Sequence, residues 1–311
     1  MDAGPGPAGP THWHSLSGGH MTAGVTNTTA ATDWGKADFE AIYNCPDPRR
    51  YFTTLHPLEY QIPHHGQAVF RAVAETLQRH RSDRPPLNVV DLCCSYGVNA
   101  ALLNHQLSLD DLYGRYTANG RAQPSTGQLI DEDRKFYATR RRAEPLRVTG
   151  IDAADRAVGY ARAVGLLDHG FAENLELEEP SPELRKVLAG TDLITVTGGV
   201  GYISARTFGR LFDCVSSPPW VAAFVLREVS YRPISALLAR AGLVTERLTT
   251  RTFRQRQFAD GNERQAAFEA LTARGLSTAD KEADGFYHAD LYLSRPAADV
   301  AALPLEELLP G

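Results

Sequence analysis

Sulfur is scarce in this chain: of 311 residues, four are cysteine and two are methionine. Cys45, Cys93, Cys94 and Cys214 make no CxxC pair, and two adjacent cysteines are poor ligands for one tetrahedral ion. A chain this long buries a full core without cross-links, so a disulfide scaffold is not expected, and the thiols are read as reduced in a cytoplasmic protein. Long apolar runs are missing too; none reaches the roughly 18 residues that span a bilayer. The first residues lack the apolar stretch of a secretory signal. Positive charge is not in excess: 32 Lys and Arg stand against 37 Asp and Glu, a net charge of −5. With a pI near 6.1, the field of the whole protein does not draw polyanions, so neither nucleic acid nor membrane is an expected partner. No HxxxH pair exists, and adjacent His64 and His65 are not expected to hold a metal. No GxGxxG stands between a strand-like run and a helix, which argues against a nicotinamide dinucleotide enzyme.

What is present reads as a globular protein, with 43% apolar and 22% charged residues. Residues 1–33 are rich in Gly, Pro, Ala, Thr and Ser and carry His12, His14 and His20; this composition predicts a disordered, solvated tail. Ala37–Leu55 has helical spacing in Phe39, Ile42 and Tyr43, broken by Pro46 and Pro48. Gln67–His80 carries the apolar stripe Val69, Phe70, Val73 and Leu77. Residues 34–86 are therefore read as an N-terminal helical lid.

From residue 87 the pattern alternates. Strand-like runs at Leu87–Leu92, Arg147–Ile151, Asp192–Val196 and Trp220–Val225 are separated by helical spacing at Asn99–Gln106, Asp155–Leu167, Pro182–Leu188 and Ala205–Val215. Ile234–Ala241 and Glu263–Ala273 are further helices, and Leu243–Thr250 and Phe286–Leu293 further strands. Strands alternating with helices of this length make βαβ units and a parallel sheet. Residues 108–145 exceed a minimal unit; Ser125 and Gln128, at capping-box spacing, open a helix within this insertion. Arg140–Arg142 is read as a solvated helix end, and residues 297–311 as a weakly structured tail.

Ligands of open α/β sheets bind beyond the carboxyl ends of the strands, where the strand order reverses. There the first strand runs Val89-Val90-Asp91-Leu92-Cys93-Cys94-Ser95-Tyr96-Gly97. This resembles the first motif of class I S-adenosylmethionine-dependent methyltransferases, an acidic residue followed by small residues and glycines at alternate positions. Asp91 stands at the acidic position and Gly97 at the last glycine, while Cys93 and Ser95 replace glycine by other small residues. The second strand ends in Asp152, a carboxylate suited to vicinal ribose hydroxyls; an N-cap is its other reading.

The resemblance spans about 200 residues, from the Gln67 helix to the last strand. It implies a doubly wound, mostly parallel, Rossmann-like α/β sheet of seven strands with an antiparallel last strand, in residues 87–296. It implies S-adenosyl-L-methionine as cofactor, bound by Asp91, Cys93, Ser95, Gly97, Asp152, Glu173, Asn174 and Gly198. Glu173 and Asn174 stand where the family meets adenine; their other reading is a loop carboxylate and a turn Asn. Gly97 is expected to make room for the cofactor's methionine end, and Gly198, Gly199 and Gly201 to leave space for a ligand. Tyr202, Glu228 and His288 are the candidates for the acceptor side, with Tyr51, Tyr60, Arg227 and Tyr231 nearby in the pattern. Methyl transfer to a small-molecule acceptor is the expected activity. The alternatives are a cyclase or lyase acting on the cofactor's aminocarboxypropyl arm, and a cofactor-binding module without turnover.

Overall fold

The computed structural model describes residues 40–79, 86–118 and 124–309. The predicted tail, with His12, His14 and His20, lies outside them. The described chain begins with α1 (Glu40–Tyr43), α2 (Arg49–Leu55) and α3 (Ile62–Arg79), and the first strand follows, β1 (Asn88–Leu92). Next come α4 (Val98–Asn104), α5 (Leu109–Thr117), α6 (Thr126–Ala138), β2 (Arg147–Asp152), α7 (Asp155–Ala163) and β3 (His169–Ala172). The chain continues through α8 (Pro182–Leu188), β4 (Leu193–Thr197), α9 (Ala205–Phe212), β5 (Trp220–Leu226), α10 (Arg232–Arg240) and β6 (Leu243–Arg247). It ends with β7 (Phe253–Gln257), α11 (Gly261–Ala273), β8 (Phe286–Pro296), α12 (Ala297–Ala302) and α13 (Leu305–Leu308).

The strands form one eight-stranded sheet in the order β3-β2-β1-β4-β5-β8-β6, with β7 also paired to β8. β1 to β5 pair parallel with one another, and β8 runs antiparallel to β5, β6 and β7. The sheet is thus the expected doubly wound, mostly parallel one, with one strand more than the seven expected. β6 and β7 lie end to end along one edge of β8, pairing with Tyr292–Pro296 and Phe286–Ala289. The run Leu243–Thr250 read as one strand stops at Arg247 for this reason. β7 escaped the sequence reading because its residues, Phe253-Arg254-Gln255-Arg256-Gln257, carry a single apolar side chain.

Strand period explains the two faces. In β5, Trp220, Ala222 and Phe224 join the cluster packed under α3, while Val221, Ala223 and Val225 join the one under α8, α9 and α10. Both faces are covered, so β5 is buried along its whole length. α3 is accordingly a layer of the fold rather than part of a lid: Val69, Phe70, Val73 and Leu77 are buried against the sheet. Burying each such side chain contributes about 1.5–3 kcal/mol. The insertion supplies two capped helices, α5 through Ser108 and Asp111 and α6 through the expected Ser125 and Gln128. It docks on α7 around Asp133, which accepts hydrogen bonds from Tyr116 at 2.8 Å, from Arg115 Nε at 2.5 Å and from Tyr160.

Residues 297–309 are not weakly structured. Leu305 is fully buried, and its amide donates to Glu246 Oε1 at 2.9 Å. Glu246 also pairs with the fully buried Arg295 at 2.7 Å, so one carboxylate on β6 fixes both β8 and the entry to α13. The Arg140–Arg142 run is tied down as well: Arg140 lies over the Phe136 ring at 4.0 Å, and Arg142 N donates to Asn104 O at 2.9 Å.

Candidate functional site

The chain leaves β1, builds β2 and β3 on one side, and crosses to β4 on the other, so the strand order reverses between β1 and β4. Asp91 stands there, one residue from the end of β1 and level with Thr195 of β4. Its Oδ1 accepts from Asn99 Nδ2 and from Thr195 Oγ1, both at 2.9 Å. Asn99 Nδ2 also donates to Thr197 Oγ1 at 2.7 Å, which ties the first turn of α4 to the end of β4. Asp91 Oδ2 is buried with no hydrogen-bond partner. Burial pushes the Asp91 carboxyl up to about 7, against the hydrogen bonds from Asn99 and Thr195.

Beyond β1 the backbone enters the left-handed region at alternate residues: Cys93 at φ 57°, Ser95 at φ 47° and Gly97 at φ 75°. These are the positions at which the resemblance places glycine. Cys93 and Ser95 hold the conformation with a side chain present, at a cost of order 1–2 kcal/mol each. The turn aims the Ser95 amide at Asp152, whose Oδ2 accepts it at 2.9 Å. Asp152 Oδ1 accepts the Ala154 amide at 2.9 Å, so the carboxylate caps the turn before α7 as well as closing the loop. Burial raises the Asp152 carboxyl, opposed by these amides. Ser95 Oγ is buried and makes no hydrogen bond.

Gly97 has another role than the one expected. A side chain there would meet Ala161 Cβ at 3.1 Å and Leu166 Cδ1 at 3.3 Å, so the missing side chain lets α7 approach the turn instead of clearing the crevice. A Cβ on Gly199 would come within 2.6 Å of Cys93 Sγ, and one on Gly198 within 2.7 Å of Gln255 Nε2. The Cys93 thiol therefore lies against the loop after β4, and burial, with the charges of Asp152 and Asp91, raises it well above the ordinary thiol range.

Glu173 and Asn174, expected beside adenine, are engaged locally. Both Glu173 oxygens bind Ser181, from its amide at 3.0 Å and its hydroxyl at 2.7 Å, and Asn174 Oδ1 accepts the Glu176 amide at 3.0 Å. The loop after β3 spends its polar groups on capping: Ser181 caps α8, and Glu176 takes the Ser204 amide at 2.6 Å ahead of α9. His288 is also engaged on both ring nitrogens, by Thr252 at 2.8 Å and Asp284 at 3.2 Å, where it ties β8 to its own entry turn. Tyr202 is 68% exposed, on the turn after β4. Glu228 is buried, near enough to Tyr287 for its charge to act on the phenol. Arg227 pairs with Glu282 at 2.5 Å, and Tyr231 stacks on Tyr292 at 4.5 Å.

The N-terminal segment closes on the loop that follows β1. Tyr96 Oη accepts the Cys45 amide at 2.8 Å, and its ring packs edge-on against Tyr51 at 5.7 Å. Burial lifts the Tyr60 phenol far above its usual range, with Asp91 among the charges that add to it; the Tyr43 phenol is lifted likewise, with Tyr202 and Asp152 contributing. Tyr43 and Tyr60 thus stand within electrostatic reach of the two strand-end carboxylates. Asn99, Thr195, Thr197 and Gln255 are the residues of this crevice that sequence reasoning missed. Asn99 in the first turn after the loop, and threonines at alternate positions of an otherwise apolar strand, were the available signals.

Among the described residues, no group of three or more His, Cys, Asp or Glu side chains is placed to hold a metal ion. No described helix is long and apolar enough to cross a membrane. No protein-family model matches the chain, and no curated protein does. Solved structures do resemble it. The magnesium protoporphyrin IX methyltransferase of Synechocystis PCC 6803, with bound SAM, is 13% identical over 74% of this chain and 79% of its own, at a TM-score of 0.36. The plantazolicin methyltransferase BpumL, in complex with SAH, is 11% identical over 83% and 93%, at 0.39. The N-methyltransferase NodS of Bradyrhizobium japonicum WM9, with S-adenosyl-L-homocysteine, is 13% identical over 71% and 84%, at 0.36.

Proposed function

We propose that this chain binds S-adenosyl-L-methionine at the carboxyl ends of β1, β2 and β4 and transfers its methyl group to a small acceptor. The observation that carries the reading is the pair of buried, unpartnered oxygens at the strand-order reversal, Asp91 Oδ2 and Ser95 Oγ. A buried polar atom without a partner costs about 1–3 kcal/mol, and two within the strand end and turn at the fold's ligand position are what a polar ligand would satisfy. The donor set fits this cofactor. Asp152 keeps lone pairs beyond the two amides it accepts, enough for ribose hydroxyls. Asp91 offers negative charge to an ammonium or sulfonium, and Gly198 and Gly199 let the Gln255 and Cys93 side chains close on the loop after β4.

When bound, the cofactor supplies an electrophilic methyl group on a positively charged sulfur. The chain's own contribution is positioning and exclusion of water, worth up to about 7–11 kcal/mol for well-held reactants. Tyr43, Tyr51 and Tyr60 supply the aromatic cover from the N-terminal segment, and the phenols of Tyr43 and Tyr60 stay protonated because burial opposes their ionisation. Tyr202 on the rim and buried Glu228 are the acceptor-side candidates, and His288, with both nitrogens engaged, is withdrawn from that role.

Product analysis tests the reading. Incubation with S-adenosyl-L-methionine and a panel of small nucleophiles is expected to yield S-adenosylhomocysteine and a methylated product. Methylthioadenosine in its place would mean that the cofactor's own arm is consumed, as in the cyclase or lyase alternative. Binding without either product across a broad panel would leave a cofactor-binding module.

A further inference from the structure

A pocket opens between the start of α10 and the outer strand β6. Its volume is about 350 Å³, within the range of small-ligand sites. Arg232, Arg247 and Arg274 come together around it from three separate elements, α10, β6 and the end of α11. In a chain of net charge −5, three guanidiniums about one pocket are a local reversal of sign. Only Arg247 has an acidic neighbour, Asp290 at 3.3 Å; among the described residues Arg232 and Arg274 form no ion pair. Two positive charges are left over.

The remaining lining suits an oxyanion attached to a ring. Tyr231 and Tyr292 stack at 4.5 Å with 25° between their planes and form an aromatic wall. The Tyr231 hydroxyl is buried beside Ser294 without a hydrogen bond of ordinary geometry. Ser230 Oγ is an acceptor for the Arg232 amide at 3.4 Å, so its proton remains available to a ligand. α10 is nine residues long and opens on the pocket with Pro233 in its first turn and no side-chain cap. The positive end of its dipole adds to the guanidiniums.

We propose that this pocket is an anion site for a small phosphate monoester bearing a planar ring, separate from the cofactor crevice. Guanidiniums suit phosphate because their planar fork donates two parallel hydrogen bonds to its oxygens, and half-buried Tyr292, backed by buried Tyr231, offers the ring an aromatic contact. Nothing in this assignment uses Asp91, Ser95 or Asp152, so it stands or falls apart from the reading of that crevice.

Calorimetric titration of the full chain with phenyl phosphate, without S-adenosylhomocysteine, tests it. One molecule is expected to bind per chain, more tightly than inorganic phosphate and more weakly as ionic strength rises. The double variant R232Q/R274Q removes the two unpaired guanidiniums from exposed positions and is expected to keep its melting temperature while losing at least tenfold in phenyl phosphate affinity. Its affinity for S-adenosylhomocysteine is expected to match the parent's. Failure of phenyl phosphate to bind at millimolar concentration would overturn the proposal, as would equal affinity in the double variant. A failure of S-adenosylhomocysteine to bind the parent would bear on the crevice alone.

Discussion

Asp91 and Asp133 are both completely excluded from solvent, and their surroundings could hardly differ more. Asp133 is saturated: Arg115 supplies charge, and Tyr116 and Tyr160 donate to its second oxygen. Asp91 has neutral donors on one oxygen and none on the other. A buried carboxylate that serves architecture is surrounded until its lone pairs are spent. One left half-satisfied at the carboxyl edge of the sheet stores an unmet electrostatic demand, and perturbed groups of that kind gather at functional sites.

The comparison breaks most visibly at the saturated end. Asp133→Ala would strand Arg115 and leave the Tyr116 and Tyr160 hydroxyls to find new partners, and is expected to destabilise the fold by about 3–5 kcal/mol. Chemical denaturation measures it, with the midpoint falling while the slope is kept. A loss under 1 kcal/mol would mean that the network closes without its carboxylate.

At the other end, Asp152→Ala is expected to weaken S-adenosylhomocysteine binding by about 1.5–3 kcal/mol, the worth of a charged acceptor to hydroxyl donors. Some stability is lost too, because the Ser95 and Ala154 amides lose their partner. Affinity is read on the folded fraction by titration, and an unchanged value would reduce Asp152 to a cap.

For Asp91 the readout is pH. Its folded value, about 7, lies above the unfolded 3.8, so the native state holds a proton that the unfolded state has released. Stability from this group is complete below the unfolded value and is lost as pH rises toward 7. The ligand-free protein is therefore expected to weaken between about pH 4 and pH 7, and Asp91→Asn to flatten that slope. Parallel slopes in the two proteins would show that Asp91 is ionised throughout.

Ser95→Gly is the smallest change. It relieves a left-handed φ and removes a buried, unpartnered hydroxyl, and is expected to raise the melting temperature of the ligand-free protein by an amount equivalent to about 1 kcal/mol. Cofactor affinity should fall at the same time. A variant that is both more stable and binds as well would take the hydroxyl out of the site.

The parallel core and its strand ends were legible because both depend on local pattern: paired apolar residues for strands buried on two faces, and an acidic residue followed by small ones for the turn after β1. Other features depended on partners far away in the chain. β7 is polar and finds its place through β8, so neither it nor Gln255 could be read from period alone. The last helix looks featureless in sequence, yet Glu246, 59 residues before Leu305, fixes its entry. Glu173 sat at the expected place along the chain, but the nearest donor group was Ser181, and capping took both of its oxygens. Gly97 was rightly singled out as a position needing glycine; the direction of its missing side chain, toward Ala161, is set by how α7 packs.

The most direct test is calorimetric titration of the full chain with S-adenosylhomocysteine at two values of pH. One site per chain is expected, tighter at pH 8 than at pH 5.5 because Asp91 must give up its proton to meet the ligand's ammonium group, with proton release measurable from buffers of different ionisation heat. Absence of binding at millimolar ligand would contradict the account, and binding that is indifferent to pH would contradict the role given to Asp91.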